Sequence, residues 1–182
     1  MRIVAVRRLT PANGGDCLSG RDVLRWCALR QVTGETMEKP IIAEIAGSDP
    51  ELAEHLRAAG LPTDDLTEPG RRYFRFSDQH DGLIGFIGWE CPDGAALLRS
   101  LVVTPIRRGC GWGRTMIGWA LRRLAESGAT DAYILTTTIE PLAIKLGFRA
   151  VARAQAAASI RASRQFASLC PAIAQLLHRS LP

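Results

Sequence analysis

Residues 102–114 read Val102-Val103-Thr104-Pro105-Ile106-Arg107-Arg108-Gly109-Cys110-Gly111-Trp112-Gly113-Arg114. An apolar run, Ala95–Val103, enters this stretch, and an apolar stripe at helical spacing (Met116, Ile117, Ala120, Leu121, Leu124) leaves it. The pattern predicts a buried central strand, a Gly- and Arg-rich loop, and a helix over Thr115–Ser127. Glycines let consecutive backbone N–H groups point one way, and a helix N-terminus adds partial positive charge. Such a loop suits a pyrophosphate. Two phosphate-binding patterns fail on spacing. Gly-x-Gly-x-x-Gly fails from Gly109 because position 114 is Arg, and from Gly111 because position 116 is Met. The Walker pattern needs Gly-Lys-Ser/Thr, and neither Lys39 nor Lys145 lies here. What fits is Arg-x-x-Gly-x-Gly at Arg108, Gly111 and Gly113. An ordinary tight strand-to-helix turn is the other reading of the same residues.

Upstream of the loop, Ile41–Ile45 alternates as a short strand. Ser48-Asp49-Pro50-Glu51 opens a helix with a polar cap and a first-turn proline. Leu52, Leu56 and Ala59 keep helical spacing until Gly60 and Pro62 end it. Asp64-Asp65 begins a loop. Tyr73–Phe76 and Leu83–Glu90 read as a hairpin around Asp78–Gly82. Downstream come a strand at Ala132–Leu135, a short helix at Glu140–Leu146, a strand at Arg149–Ala152, a helix within 154–169 and a last strand at Ile173–Leu181. The composite is an α/β chain with a mixed sheet flanked by helices.

The chain has 182 residues, about one domain's length, and 47% are hydrophobic, so a real core is expected. No apolar stretch approaches the ~20 residues that span a bilayer. The first ten residues lack a signal-peptide core, so a cytoplasmic protein without membrane contact is expected. The net charge is +5, unevenly placed: +3 over 1–36, −3 over 37–148 and +5 over 149–182. An acidic body without RNP-type aromatics or zinc-finger spacing argues against nucleic acid. Five Cys, at 17, 27, 91, 110 and 170, are odd in number and show no Cys-x-x-Cys spacing. Reduced thiols and no metal site are the expectation. Residues 1–36 lack a clean period, and Met37 opens the legible domain, 37–182. The segment before it reads either as an extension or as upstream sequence translated from an early start codon.

The Arg108, Gly111, Gly113 pattern, the preceding Leu101-Val102-Val103-Thr104-Pro105 and the following amphipathic helix resemble the acyl-CoA loop of the GNAT acetyltransferases. Leu146-Gly147-Phe148 resembles that family's Leu-Gly-Phe after its last short helix. Three stretches narrow the resemblance to the proteins named arsenic resistance N-acetyltransferases: Ala96–Leu101, Thr136–Glu140 and Ile160–Pro171, with Arg-Gln-Phe-x-Ser-Leu-Cys-Pro the most specific. The resemblance implies the GNAT fold and acetyl-CoA as cosubstrate. It implies acetyl transfer to the primary amine of a small molecule, amino-acid-like or arsenic-containing, by a monomer or homodimer. A catalytically impaired CoA-binding module and an acetyltransferase of protein amines are the alternatives.

By the same resemblance, the backbone of Leu101, Val102 and Val103 pairs with the pantetheine arm. Arg108, Gly109, Cys110, Gly111, Trp112, Gly113 and Arg114 hold the pyrophosphate, and Arg107, Arg108 and Arg114 each read either as an added cation or as a solvated arginine. Glu90, at a strand end, is a candidate general base or a surface acid. Glu140 is a candidate base or a helix-start acid. Arg99, inside an apolar strand, needs a partner: a substrate anion, or Glu90. His55, His80 and His178 read as surface residues. Leu142-Ala143 stand where many members carry an aromatic pair whose Tyr protonates the leaving thiolate, and the only tyrosines are Tyr73 and Tyr133. Water can serve instead, because a thiol pKa near ~8.5 needs little help. Cys170 alone is a poor arsenical ligand and reads as a packed thiol.

Overall fold

The computed structural model describes residues 39–169 and 173–182. Residues 1–36, the boundary at Met37, Cys17, Cys27 and Cys170 lie outside the described residues. Seven strands form one mixed sheet: β1 (Ile41–Ile45), β2 (Arg71–Ser77), β3 (Leu83–Glu90), β4 (Ala95–Val103), β5 (Asp131–Thr136), β6 (Arg149–Val151) and β7 (Gln175–Ser180). Their spatial order is β1-β2-β3-β4-β5-β7-β6, so the apolar β4 is central, as its composition predicts. Among the described residues the one parallel pair, β4 with β5, is joined by the crossover helix α2 (Trp112–Glu126). The other helices are α1 (Pro50–Ala58), α3 (Glu140–Lys145) and α4 (Ala158–Ala162).

Local chemistry explains where these elements begin. Asp49 caps α1, accepting from Glu51 N–H at 2.9 Å and Leu52 N–H at 3.1 Å, with Pro50 in the first turn. Strand β2 starts two residues before the expected Tyr73. The two added residues, Arg71 and Arg72, are held by partners that sequence spacing does not reveal: Arg71 meets Asp65 at 3.0 Å, and Arg72 forks onto Glu44 of β1 with two bonds of 2.7 Å. Helix α2 starts at Trp112 rather than Thr115, because Gly111 in the left-handed region turns the chain directly into it. The helix expected within 154–169 is broken into a 3₁₀ turn (Arg153–Gln155), α4 and a π-helical turn (Gln165–Leu169). Extended Ser163 interrupts it, and its hydroxyl accepts from Phe166 N–H.

One face of the sheet carries a continuous core under α2 and α3, with Phe74, Ile87, Trp89, Leu98, Met116 and Ile117 among its members. The opposite face carries two separate clusters. Leu52 and Leu56 of α1 pack on Tyr73, Phe86 and Val102, while Ile160 of α4 packs on Leu97, Tyr133 and Leu135. Between them runs a strip of charged residues. Along β4 the order on this face is Leu97, Arg99, Val102. Arg99 lies opposite Gly88, and Glu90 lies opposite Arg71.

Candidate active site

The ladder between β4 and β5 ends at Leu98 opposite Ile134. Two residues later β4 bulges: Phe86 faces Val102 and Gly88 faces Arg99, so Ile87 stands opposite both Ser100 and Leu101. Ser100, within this bulge, sits at φ +55°, a rare conformation for a non-glycine residue. Beyond the bulge β4 stays with β3, with Thr104 N–H donating to Ile84 O at 3.0 Å. A cleft therefore opens between β4 and β5. Its outer part, about 450 Å³, is bordered by Leu101–Val103 and the glycine loop. Its inner part, about 110 Å³, is bordered by Arg99, Ser100, Thr136, Thr138 and Gln165 among others. Leu61, Leu101, Thr138 and Ile139 border both, so the two parts are continuous.

The loop at the outer end is a backbone device. Gly109 and Gly111 have φ of +76° and +84°, where glycine alone is unstrained. Gly111 is the N-cap of α2 and offers no capping side chain. The first N–H groups of that helix have no intrahelical acceptor either, so they are available to an anion in the cleft. Gly113 faces α3: a Cβ there would lie 3.3 Å from Leu142 Cδ2. The Trp112 indole packs into the core, leaving its backbone to the loop. Of the loop arginines, Arg107 is paired with Asp78. Arg108 is exposed and donates from Nε to Val103 O at 3.0 Å. Arg114 is exposed. Cys110 is disulfide-bonded, so the expectation of reduced thiols fails there, because cysteine spacing does not report which thiols a fold brings together.

At the inner end the structure corrects the partner of Arg99. Its guanidinium forks onto Asp65, Nη1 donating to Oδ2 at 2.7 Å and Nη2 to Oδ1 at 2.5 Å, rather than pairing with Glu90. Asp65 is fully buried and also lies 3.0 Å from Arg71. Arg71 bridges onward to Glu68 at 2.8 Å and Glu90 at 3.7 Å, and Glu68 meets Arg164. Burial pushes the Asp65 carboxyl up, but its bonds to Arg99 and the charges of Arg99 and Arg71 outweigh this and hold it below the usual range. Burial pushes the Tyr73 phenol, beside this network, to about 12, so it stays neutral. Four buried atoms of the network have no hydrogen-bond partner: Arg71 Nε, Tyr73 OH, Glu90 Oε1 and Arg99 Nε.

The residues singled out from sequence thus fall in three places. Leu101–Val103 and the loop residues other than Cys110 line the outer cleft, and Arg99 walls the inner pocket. Glu90 lies behind Arg99 in the ion network, off the cleft wall. Glu140, at the start of α3, faces the Gln175 amide, which donates to it at 2.7 Å once turned to satisfy both groups, and it is also off the wall. Among the described residues, no carboxylate or imidazole lines the cleft. His178 is not an isolated surface residue, for it meets Asp131 at 2.6 Å and packs against Tyr133. Ala143 is fully buried in the core. Sequence reasoning missed Asp65, Arg71 and Gln165. The one available signal was the unmatched Arg99, which demanded a carboxylate somewhere.

The architecture recurs in solved structures. A GNAT-family acetyltransferase from Staphylococcus aureus Mu50 superposes with a TM-score of 0.58 at 18% identity, covering 78% of this chain and 100% of that one. A Bacillus subtilis acetyltransferase in complex with CoA gives 0.60 at 16% identity over 79% and 100%. N-acetylglutamate synthase from Neisseria gonorrhoeae, complexed with coenzyme A and N-acetyl-glutamate, gives 0.62 at 14% over 80% of this chain and 36% of that one. No family model and no curated protein sequence matches the chain. The chain has the GNAT acyltransferase fold, a seven-stranded mixed sheet splayed at β4 and β5.

Proposed function

We propose that this protein is an acetyl-CoA-dependent N-acetyltransferase acting on the primary amine of a small molecule. The observation that carries the reading is the join between the splay and the loop. An open strand edge leads straight to an uncapped helix N-terminus approached through two left-handed glycines. That donor set fits a pyrophosphate with a linear arm behind it. CoA bound to the structural neighbours from B. subtilis and N. gonorrhoeae supports the same cosubstrate here. Successive strand residues direct their N–H and C=O groups to opposite edges, so Leu101 and Val103 face the open side. Gly109–Arg114 would hold the pyrophosphate, with Arg108 and Arg114 as flanking cations. Acetyl-CoA would supply the activated thioester.

The acceptor amine would occupy the inner pocket. Its polar lining is one cation, three hydroxyls and an amide, with no carboxylate among the described residues to receive a polycation. This favours a small amine of amino-acid type, as does the N-acetyl-glutamate held by the Neisseria enzyme. An arsenic-containing acceptor rests on the Ile160–Pro171 sequence resemblance alone. Glu90 would take the amine proton through water, because it lies off the pocket wall and its Oε1 has no partner. Ala143 has no proton to give the leaving group, which favours the second reading, a CoA-binding module with little turnover. Acetyl-CoA turnover against a panel of small amines, amino acids and arsenic-containing amino acids tests the proposal. Tight CoA binding with no amine acetylated would select the module.

A further inference from the structure

Arg99 is the one ionised side chain on the inner pocket wall among the described residues. A bare cation there would repel an amine arriving as ammonium, the form a primary amine takes at neutral pH. Asp65 stands directly behind it and occupies both terminal guanidinium nitrogens. Its side chain is 0% exposed and lines no part of the cleft, so it reaches a ligand only through Arg99. The charges around the pair are matched: Arg71 faces Glu68 and Glu90, and Arg164 faces Glu68. Arg99 Nε is the guanidinium nitrogen left without a partner.

We propose that Asp65 is the specificity-determining residue of the inner pocket: it cancels the charge of Arg99, so the pocket admits an amine that a bare guanidinium would repel. The inference rests on the inner pocket being the acceptor site. Asp65 also belongs to the loop that supplies Leu61 and Pro62 to the pocket wall. Glu68, on that loop, binds Arg164, whose neighbour Gln165 completes the wall. The same ion pairs that set the charge therefore hold the wall together.

The test uses two probes matched in length and opposite in charge, butylamine and butyrate, with affinities read by ligand-observed NMR on the full chain. Asp65→Asn should shift the affinity ratio toward butyrate by roughly tenfold or more, the effect of one uncompensated charge at close range. Arg99→Gln should shift it as far toward butylamine, with Asp65 kept ionised by Arg71 at 3.0 Å. The double variant strands neither charge and should fold even if a single one does not. Its ratio should return to within about threefold of wild type, the residue of imperfect additivity. A merely structural role would weaken both probes together and leave the ratio unmoved in both single variants. That result, or two single variants shifting in the same direction, would overturn the inference. CoA affinity measured on the same samples judges the acetyltransferase reading separately: absent CoA binding with the opposed shifts intact would sink that reading and leave this one standing.

Discussion

Residues 101–114 supply one side of the outer cleft from a single continuous stretch, whereas the ion network behind the inner end gathers Asp65 from a loop, Arg71 from β2, Glu90 from β3 and Arg99 from β4, and of these Arg99 reaches the wall. The outer end presents backbone N–H groups, and its path requires glycine where φ is positive. The inner end presents side-chain charges buried between two apolar clusters. The first is tolerant of its side chains and intolerant of changed backbone. The second is the reverse, since each charge removed strands another in a place of low polarity.

The largest expected effect lies at the inner end. Glu90→Gln keeps the shape of the side chain and removes its basicity, and should lower turnover by roughly 10²–10⁴-fold with CoA affinity near wild type. Near-normal kcat would remove Glu90 from the reaction and leave Glu140 or bulk water as the base. Arg99→Leu should follow, because it leaves Asp65 buried beside Arg71 alone. A melting experiment should show a loss of about 3–5 kcal/mol, and surviving activity should show KM raised more than kcat is lowered. An unchanged melting temperature would mean that the network is not a stability element.

Acid separates the two ends further. The Asp65 carboxyl is held below the usual range by Arg99 and Arg71. Its contribution is therefore fully present at neutral pH, above the unfolded value, and is lost as pH falls through the depressed folded value. Acid unfolding of wild type should accordingly begin below the ordinary Asp range. In Arg99→Leu the transition should move to higher pH, and identical acid transitions in the two proteins would contradict the pairing. The smallest effect should be Arg108→Ala. Its guanidinium is exposed and already bonded to Val103 O, so calorimetry should record only a modest weakening of CoA binding, about 1 kcal/mol or less. A loss of binding there would make the loop a side-chain site after all.

The same contrast explains what the sequence made visible. Loop, strand and helix lie in order around Gly109–Gly113, so β4, the turn and α2 could be read directly, with α2 starting three residues early. The capped start of α1 was legible because Asp49 and Pro50 act within one turn. Asp65 was not, because its partner is 34 residues away and is chosen by the fold around it. Arg99 announced that a carboxylate was needed without naming it, and Glu90, the nearer acid in the sequence, instead faces Arg71. The broken segment at 153–169 was opaque for a related reason. Its turns are fixed by contacts such as Arg153 NH2 to Phe166 O and Ser159 Oγ to Pro92 O, which no periodicity encodes.

The central claim is that the turn from β4 into α2 holds CoA through its backbone, and titration calorimetry of CoA tests it most directly. Wild type should bind. Gly111→Val, which forces a β-branched residue into φ +84°, and Gly113→Val, which sets a side chain against Leu142 where the anion must approach, should each bind much more weakly. No heat of CoA binding to wild type, or both valine variants binding as wild type does, would contradict the account.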